Sequence, residues 1–166
     1  MEANWFFLSL QVSVIACAVV SGVFLTFSDF VMQSLNGARP SAGVEVMQVI
    51  NRKVYRTVFM VLLLGWSALS PVLMIYAWLL LGGQTAFWVL SGSAVYLVGV
   101  FAVTLVFNVP MNNRLDRMNF TGADAAAYWS ETYFPRWTFW NYVRAIAAAV
   151  AAVCFMMAAA SMMKGL

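Results

Sequence analysis

Nine side chains in this sequence are of types that could act on an apolar molecule: Asp29, Asn51, Arg52, Asn108, Asn112, Trp137, Trp140, Asn141 and Arg144. Asp29 is the candidate base. Arg144, with the amides of Asn108 and Asn112, could hold a developing oxyanion. Trp137 and Trp140 could stack on a ring, and Asn51, Arg52 and Asn141 complete a polar substrate-binding ring. Spacing supports the grouping. Trp137, Asn141 and Arg144 follow i, i+4, i+7, which is one helix face, and Met47, Asn51, Tyr55 and Phe59 form a similar stripe. Asn108 and Asn112 are spaced i, i+4, with Pro110 expected to bend the chain between them. Trp140 is placed for a cation–π contact with Arg144, and Asp29 for an ion pair with Arg144 or Arg52. Trp129, Tyr133, Trp137 and Trp140 are the expected walls of a pocket for a flat, weakly polar ligand.

What is missing narrows the chemistry. The chain has no His, which removes haem on imidazole, Ser–His triads and His-based proton shuttles. No Gly-rich phosphate loop is present. Cys17 and Cys154 fall mid-helix and read as small apolar core residues. No zinc spacing exists, so no metal is expected.

The elements that must position these residues follow from charge. Thirteen of the fifteen charged side chains lie between Asp29 and Arg56 or between Arg114 and Arg144. The stretches Ala3–Ser28, Thr57–Asn113 and Ala145–Met163 carry none. A charge at a helix centre in lipid costs at least about 2.5 kcal/mol, so these runs mark the bilayer. A span takes about 20 apolar residues, and Gly82-Gly83-Gln84 divides the long middle run. The expectation is an all-α integral membrane four-helix bundle, a single domain over residues 1–166, with spans near Trp5–Ser28, Val54–Leu81, Thr85–Asn108 and Trp140–Met163. Small residues on the fourth helix (Ala145, Ala148, Ala152), the third (Gly92, Gly99) and the first (Gly22) permit close packing. That gives a compact antiparallel bundle, or an oligomer if one small stripe faces outward.

Short amphipathic helices are expected on the charged face. One starts at Arg39-Pro40-Ser41, with Val44, Met47, Ile50 and Val54 on one side, and lies on the membrane or runs into the second span. Another starts at Thr121-Gly122-Ala123-Asp124 and runs to about Phe134, where Pro135 breaks or restarts it. Eight Lys/Arg sit on the two charged loops, against Lys164 at the other face. The positive-inside rule then predicts a multi-pass protein of the cell (inner) membrane with both termini extracytoplasmic. The N-terminus lacks the basic start of a secretory signal. Membrane lipid and a hydrophobic aromatic ligand are the expected partners, and no nucleic acid, because no basic stripe stands free of acids or of the membrane.

Four stretches at these same positions resemble a known family. They are FSDFVM at Phe27–Met32, MQVINR at Met47–Arg52, FNVPMN at Phe107–Asn112 and WTFWNYVR at Trp137–Arg144. In this order they resemble the anthrone-oxygenase-like family of small four-helix membrane proteins. The resemblance implies oxidation of anthrones to anthraquinones by molecular oxygen without a known cofactor, as in the fungal members. The family pattern has Pro after the first stretch, where this chain has Gln33. Two readings stand side by side: a cofactor-independent oxygenase of an apolar aromatic or quinone-like substrate, and a non-enzymatic membrane protein that binds a lipid, a hydrophobic ligand or another membrane protein. In the second reading the polar ring only locks four helix ends together.

Overall fold

The computed structural model describes residues 3–164. Glu2 and the last two residues, to which the reading of the termini refers, lie outside the described residues. Four helices are long and apolar enough to cross a membrane: α1 (Trp5–Gly37), α3 (Val58–Leu80), α4 (Gly83–Asp116) and α5 (Ala123–Met163). A shorter amphipathic helix, α2 (Pro40–Lys53), joins the first two. The described chain is all-α and multi-pass.

Three of the helices outrun the bilayer. At a rise of about 1.5 Å per residue, the 33, 34 and 41 residues of α1, α4 and α5 measure roughly 50, 51 and 61 Å, against about 30 Å of hydrocarbon. Leu81 and Gly82, extended, with Gly83 at φ 59°, make the tight α3–α4 turn. That fixes the surplus on the charged side. The expected ends at Ser28, Asn108 and Trp140 are therefore places where the helices leave the hydrocarbon, not where they stop. The second span starts late, at Val58 rather than Val54. A 3-10 turn at Val54–Arg56 intervenes, and Thr57 caps the new helix by accepting the Met60 amide at 3.4 Å.

Neither proline interrupts its helix: α4 runs on through Pro110, and the break expected at Pro135 is absent. A proline in a helix interior removes one ladder bond and crowds the carbonyl four residues back. Here that carbonyl belongs to Val106 or Glu131, and each sits in a widened π turn, Thr104–Asn108 or Trp129–Tyr133. The expected second amphipathic helix accordingly merges into α5.

Two hydrophobic cores result. The membrane core joins α1, α3, α4 and α5 through Leu10, Cys17, Leu63, Tyr96, Ala148 and Phe155. The backbones of α4 and α5 approach closely: a methyl on Gly99 would collide with Ala147 Cβ, and one on Gly92 would meet Cys154 Cβ at 3.0 Å. The second core lies at the charged face and is built by Met32, Val44, Met47, Leu115, Trp129 and Tyr133. It draws α2 onto the ends of α4 and α5 rather than leaving it flat on lipid. Buried Gln48 completes the docking by donating to the Leu115 and Met118 carbonyls at 2.8 and 2.9 Å, which satisfies groups at the end of α4.

Candidate functional site

Between the two cores is a cavity of about 500 Å³. Its walls are apolar, with Phe24, Phe27, Phe59, Met60, Leu63 and Phe101 among them. Its polar side is made by Asn51, Thr104, Asn108, Asn112, Asn141 and Arg144. The helices α3 and α4 pack together near the Gly82 turn and diverge toward the charged face, which opens this space.

Arg144 is 5% exposed. Its Nη1 donates to Thr104 Oγ1 at 3.2 Å and its Nη2 to Asn141 Oδ1 at 2.6 Å. The guanidinium carbon lies 4.2 Å from the Phe24 ring centroid and 5.5 Å from that of Trp137. Two ring faces thus stabilise the cation. No carboxylate does so: the one ion pair among the described residues joins Arg52 to Asp116 at 2.7 Å, on the surface. Arg144 Nε and Asn108 Oδ1 are buried without a hydrogen-bond partner.

Asn141 anchors the arginine. Its Nδ2 donates to the Phe24 carbonyl and to Ser28 Oγ, both at 2.6 Å, so α1, α4 and α5 meet at one guanidinium. Ser28 and Phe27 belong to the π turn Phe27–Val31, and Thr104 and Asn108 to the π turn of α4. Asn108 Nδ2 donates to the Trp137 carbonyl at 3.2 Å. Asn112 Oδ1 accepts from Tyr133 Oη and Trp137 Nε1, each at 2.8 Å, and Asn51 Nδ2 donates to Tyr133 Oη at 3.3 Å. Trp129, Tyr133 and Trp137 stack in sequence, with neighbouring centroids 5.5 and 6.1 Å apart.

Of the nine side chains singled out in the sequence, Asn51, Asn108, Asn112, Trp137, Asn141 and Arg144 line this one cavity, and Asp29, Arg52 and Trp140 do not. Asp29 is exposed and has no ion pair with Arg144 or Arg52. Its neighbour Ser28 faces the interior instead, because successive helical residues point about 100° apart. Trp140 stacks on Phe107 with centroids 3.6 Å apart; Phe24 and Trp137 take its expected place beside Arg144. Of the four expected aromatic walls, only Trp137 reaches the cavity, while Trp129 and Tyr133 belong to the charged-face core. The stripe Met47, Asn51, Tyr55 and Phe59 does line it, although Thr57 interrupts the helix. Thr104 and Phe24 were missed. Thr104 stands one turn before Asn108, a spacing that could have flagged it. Phe24 contributes a ring face and a carbonyl, neither of which has a residue-type signal.

Fold and site together define an integral membrane protein of four spans, with a ligand-sized, polar-sided cavity at its charged face. Residues 52–154 match the family model described as Anthrone oxygenase, and the chain belongs to that family. The matched stretch holds Asn108, Asn112, Trp137, Asn141 and Arg144, whereas Phe24, Ser28 and Asn51 precede it. No curated protein and no solved structure matches the chain.

Proposed function

We propose that this protein is a cofactor-independent oxygenase of an ionisable apolar aromatic such as an anthrone, seated in the cell membrane with its charged face in the cytoplasm. The observation that carries the reading is Arg144, a permanent cation buried beside an apolar cavity without an acid to neutralise it. The only charges lining the cavity are Arg144 and Lys53, both positive. A nearby cation favours the ionised form of an acid. An anthrone that loses a methylene proton becomes an oxyanion-bearing enolate. The proton leaves to water at the open mouth, where Lys53 and Tyr55 are exposed. The electron-rich carbon then adds oxygen, and the peroxide anion takes a proton back from water to give a hydroperoxide. Loss of water from it leaves the carbonyl, so one anthrone and one O₂ yield one anthraquinone and one H₂O. The apolar walls keep the anion poorly solvated and Arg144 supplies the compensating charge. This scheme does not use Asp29.

The polar ring also serves as a lock, since the two bonds that Asn141 donates to Phe24 and Ser28 tie α5 to α1. The two roles share residues and do not exclude each other. Oxygen uptake by proteoliposomes given anthrone separates them. The expected result is one O₂ consumed per quinone formed, with a rate that falls about 10²-fold in folded Arg144→Gln. Uptake no faster than in protein-free liposomes would leave only the lock.

A further inference from the structure

The same cavity has an exposed apolar side. Among its lining residues, Leu64 on α3 and Leu105 on α4 are 48% and 51% exposed. Leu64 lies about 24 Å along its helix from Leu80, and Leu105 about 33 Å from Gly83. Both ends of that measure meet at the turn on the opposite face. With a hydrocarbon thickness of about 30 Å, Leu64 stands inside the bilayer and Leu105 at its inner edge. Their neighbours Val61 and Val106 are 71% and 61% exposed, as lipid-facing side chains are. The gap between α3 and α4 therefore opens sideways into hydrocarbon. Met60, Phe101 and Arg144 line the same cavity.

We propose that α3 and α4 form a lateral portal, through which a neutral aromatic dissolved in the bilayer slides in, oxygen-bearing edge first, toward Arg144, where it ionises. The proposal rests on the reading of the cavity as a site for an anion-forming aromatic. It adds that the substrate is taken from the membrane and not from water. Desolvation supports this order. An apolar ring system already in lipid crosses no polar barrier before it meets the cation, and the rings stay in apolar surroundings throughout.

The test uses the full chain in liposomes and stopped-flow absorbance of 1-hydroxyanthraquinone, whose ionised form has its own band. A sulfonated derivative confined to water is the comparison. The expected result is fast binding of the lipid-dissolved probe, at a rate set by probe per lipid. It should slow at least tenfold in Leu64→Trp/Leu105→Trp, and the sulfonated probe should bind at least tenfold more slowly than its parent. Both leucines face lipid, so tryptophans there leave the core intact; the single variants serve as a check, each expected to slow binding in part. Equal rates for the plugged and unplugged proteins, or equal rates for the two probes, would overturn the portal and leave the site standing. Failure of the unmodified protein to bind either probe would overturn both.

Discussion

Arg144 brings a full charge to the edge of the hydrocarbon and meets no acid there, so its neighbours are explained by what a bare guanidinium needs. Thr104 and Asn141 accept its hydrogens, and Phe24 and Trp137 cover its faces. A buried charge held this way adds little to stability, and an apolar side chain of similar size often replaces one without loss. Arg144→Ala should therefore destabilise the protein by about 2–4 kcal/mol through the void and the orphaned acceptors. Arg144→Met should recover most of that and still bind no aromatic anion. Exposed Arg117→Ala should change stability by less than about 0.5 kcal/mol. Unfolding in mixed micelles ranks the three, and anion binding by the Met variant at the unmodified affinity would refute the role given to Arg144. At this scale the sequence was legible where a polar group had to be paired in an apolar setting: Asn108, Asn141 and Arg144 were found because leaving them alone is expensive. Asp29 was misplaced because a carboxylate at the water interface needs no partner. The position one residue away, Ser28, is the buried one.

The helices repeat the lesson on a longer scale. The three charge-free runs gave the four spans, the middle run supplying two, because the cost of charge in lipid leaves no other arrangement. The ends of the spans were not legible. Their extensions are held by the charged-face core, whose residues, Met32, Leu115, Trp129 and Tyr133, are scattered across the loops. The π turns were invisible too. They cost a ladder position, return a widened backbone that accommodates Pro110 and Pro135, and often mark functional sites. The small-residue reading of α4 and α5 is sharper in the structure, since Gly99 faces Ala147 without space for a methyl. Gly99→Ala should lower stability by about 1–3 kcal/mol through overpacking, and Ala147→Gly in the same chain should restore part of it. A Gly99→Ala protein with unchanged melting temperature in detergent would show that the two helices can separate at no cost.

At the scale of the whole molecule, the protein is a membrane bundle that carries a second core beyond the lipid, with the cavity at their junction. That placement explains why one cavity has an exposed polar rim at Lys53 and Tyr55 and an exposed apolar side at Leu64 and Leu105. The cationic rim and loops also predict orientation: a C-terminal reporter should behave as extracytoplasmic, and a cytoplasmic signal there would reverse the assignment. Charge bias and span count made the architecture readable, whereas the cavity depended on the divergence of α3 from α4, for which no residue pattern stands. The most direct measurement of the central claim is the ionisation of a bound phenol. Spectrophotometric titration of 1-hydroxyanthraquinone with the purified protein should place its ionisation roughly 1–3 pH units lower when bound to the unmodified chain than when bound to Arg144→Gln. An identical titration midpoint in the two proteins, with the probe bound to both, would contradict the claim that this arginine stabilises an aromatic oxyanion.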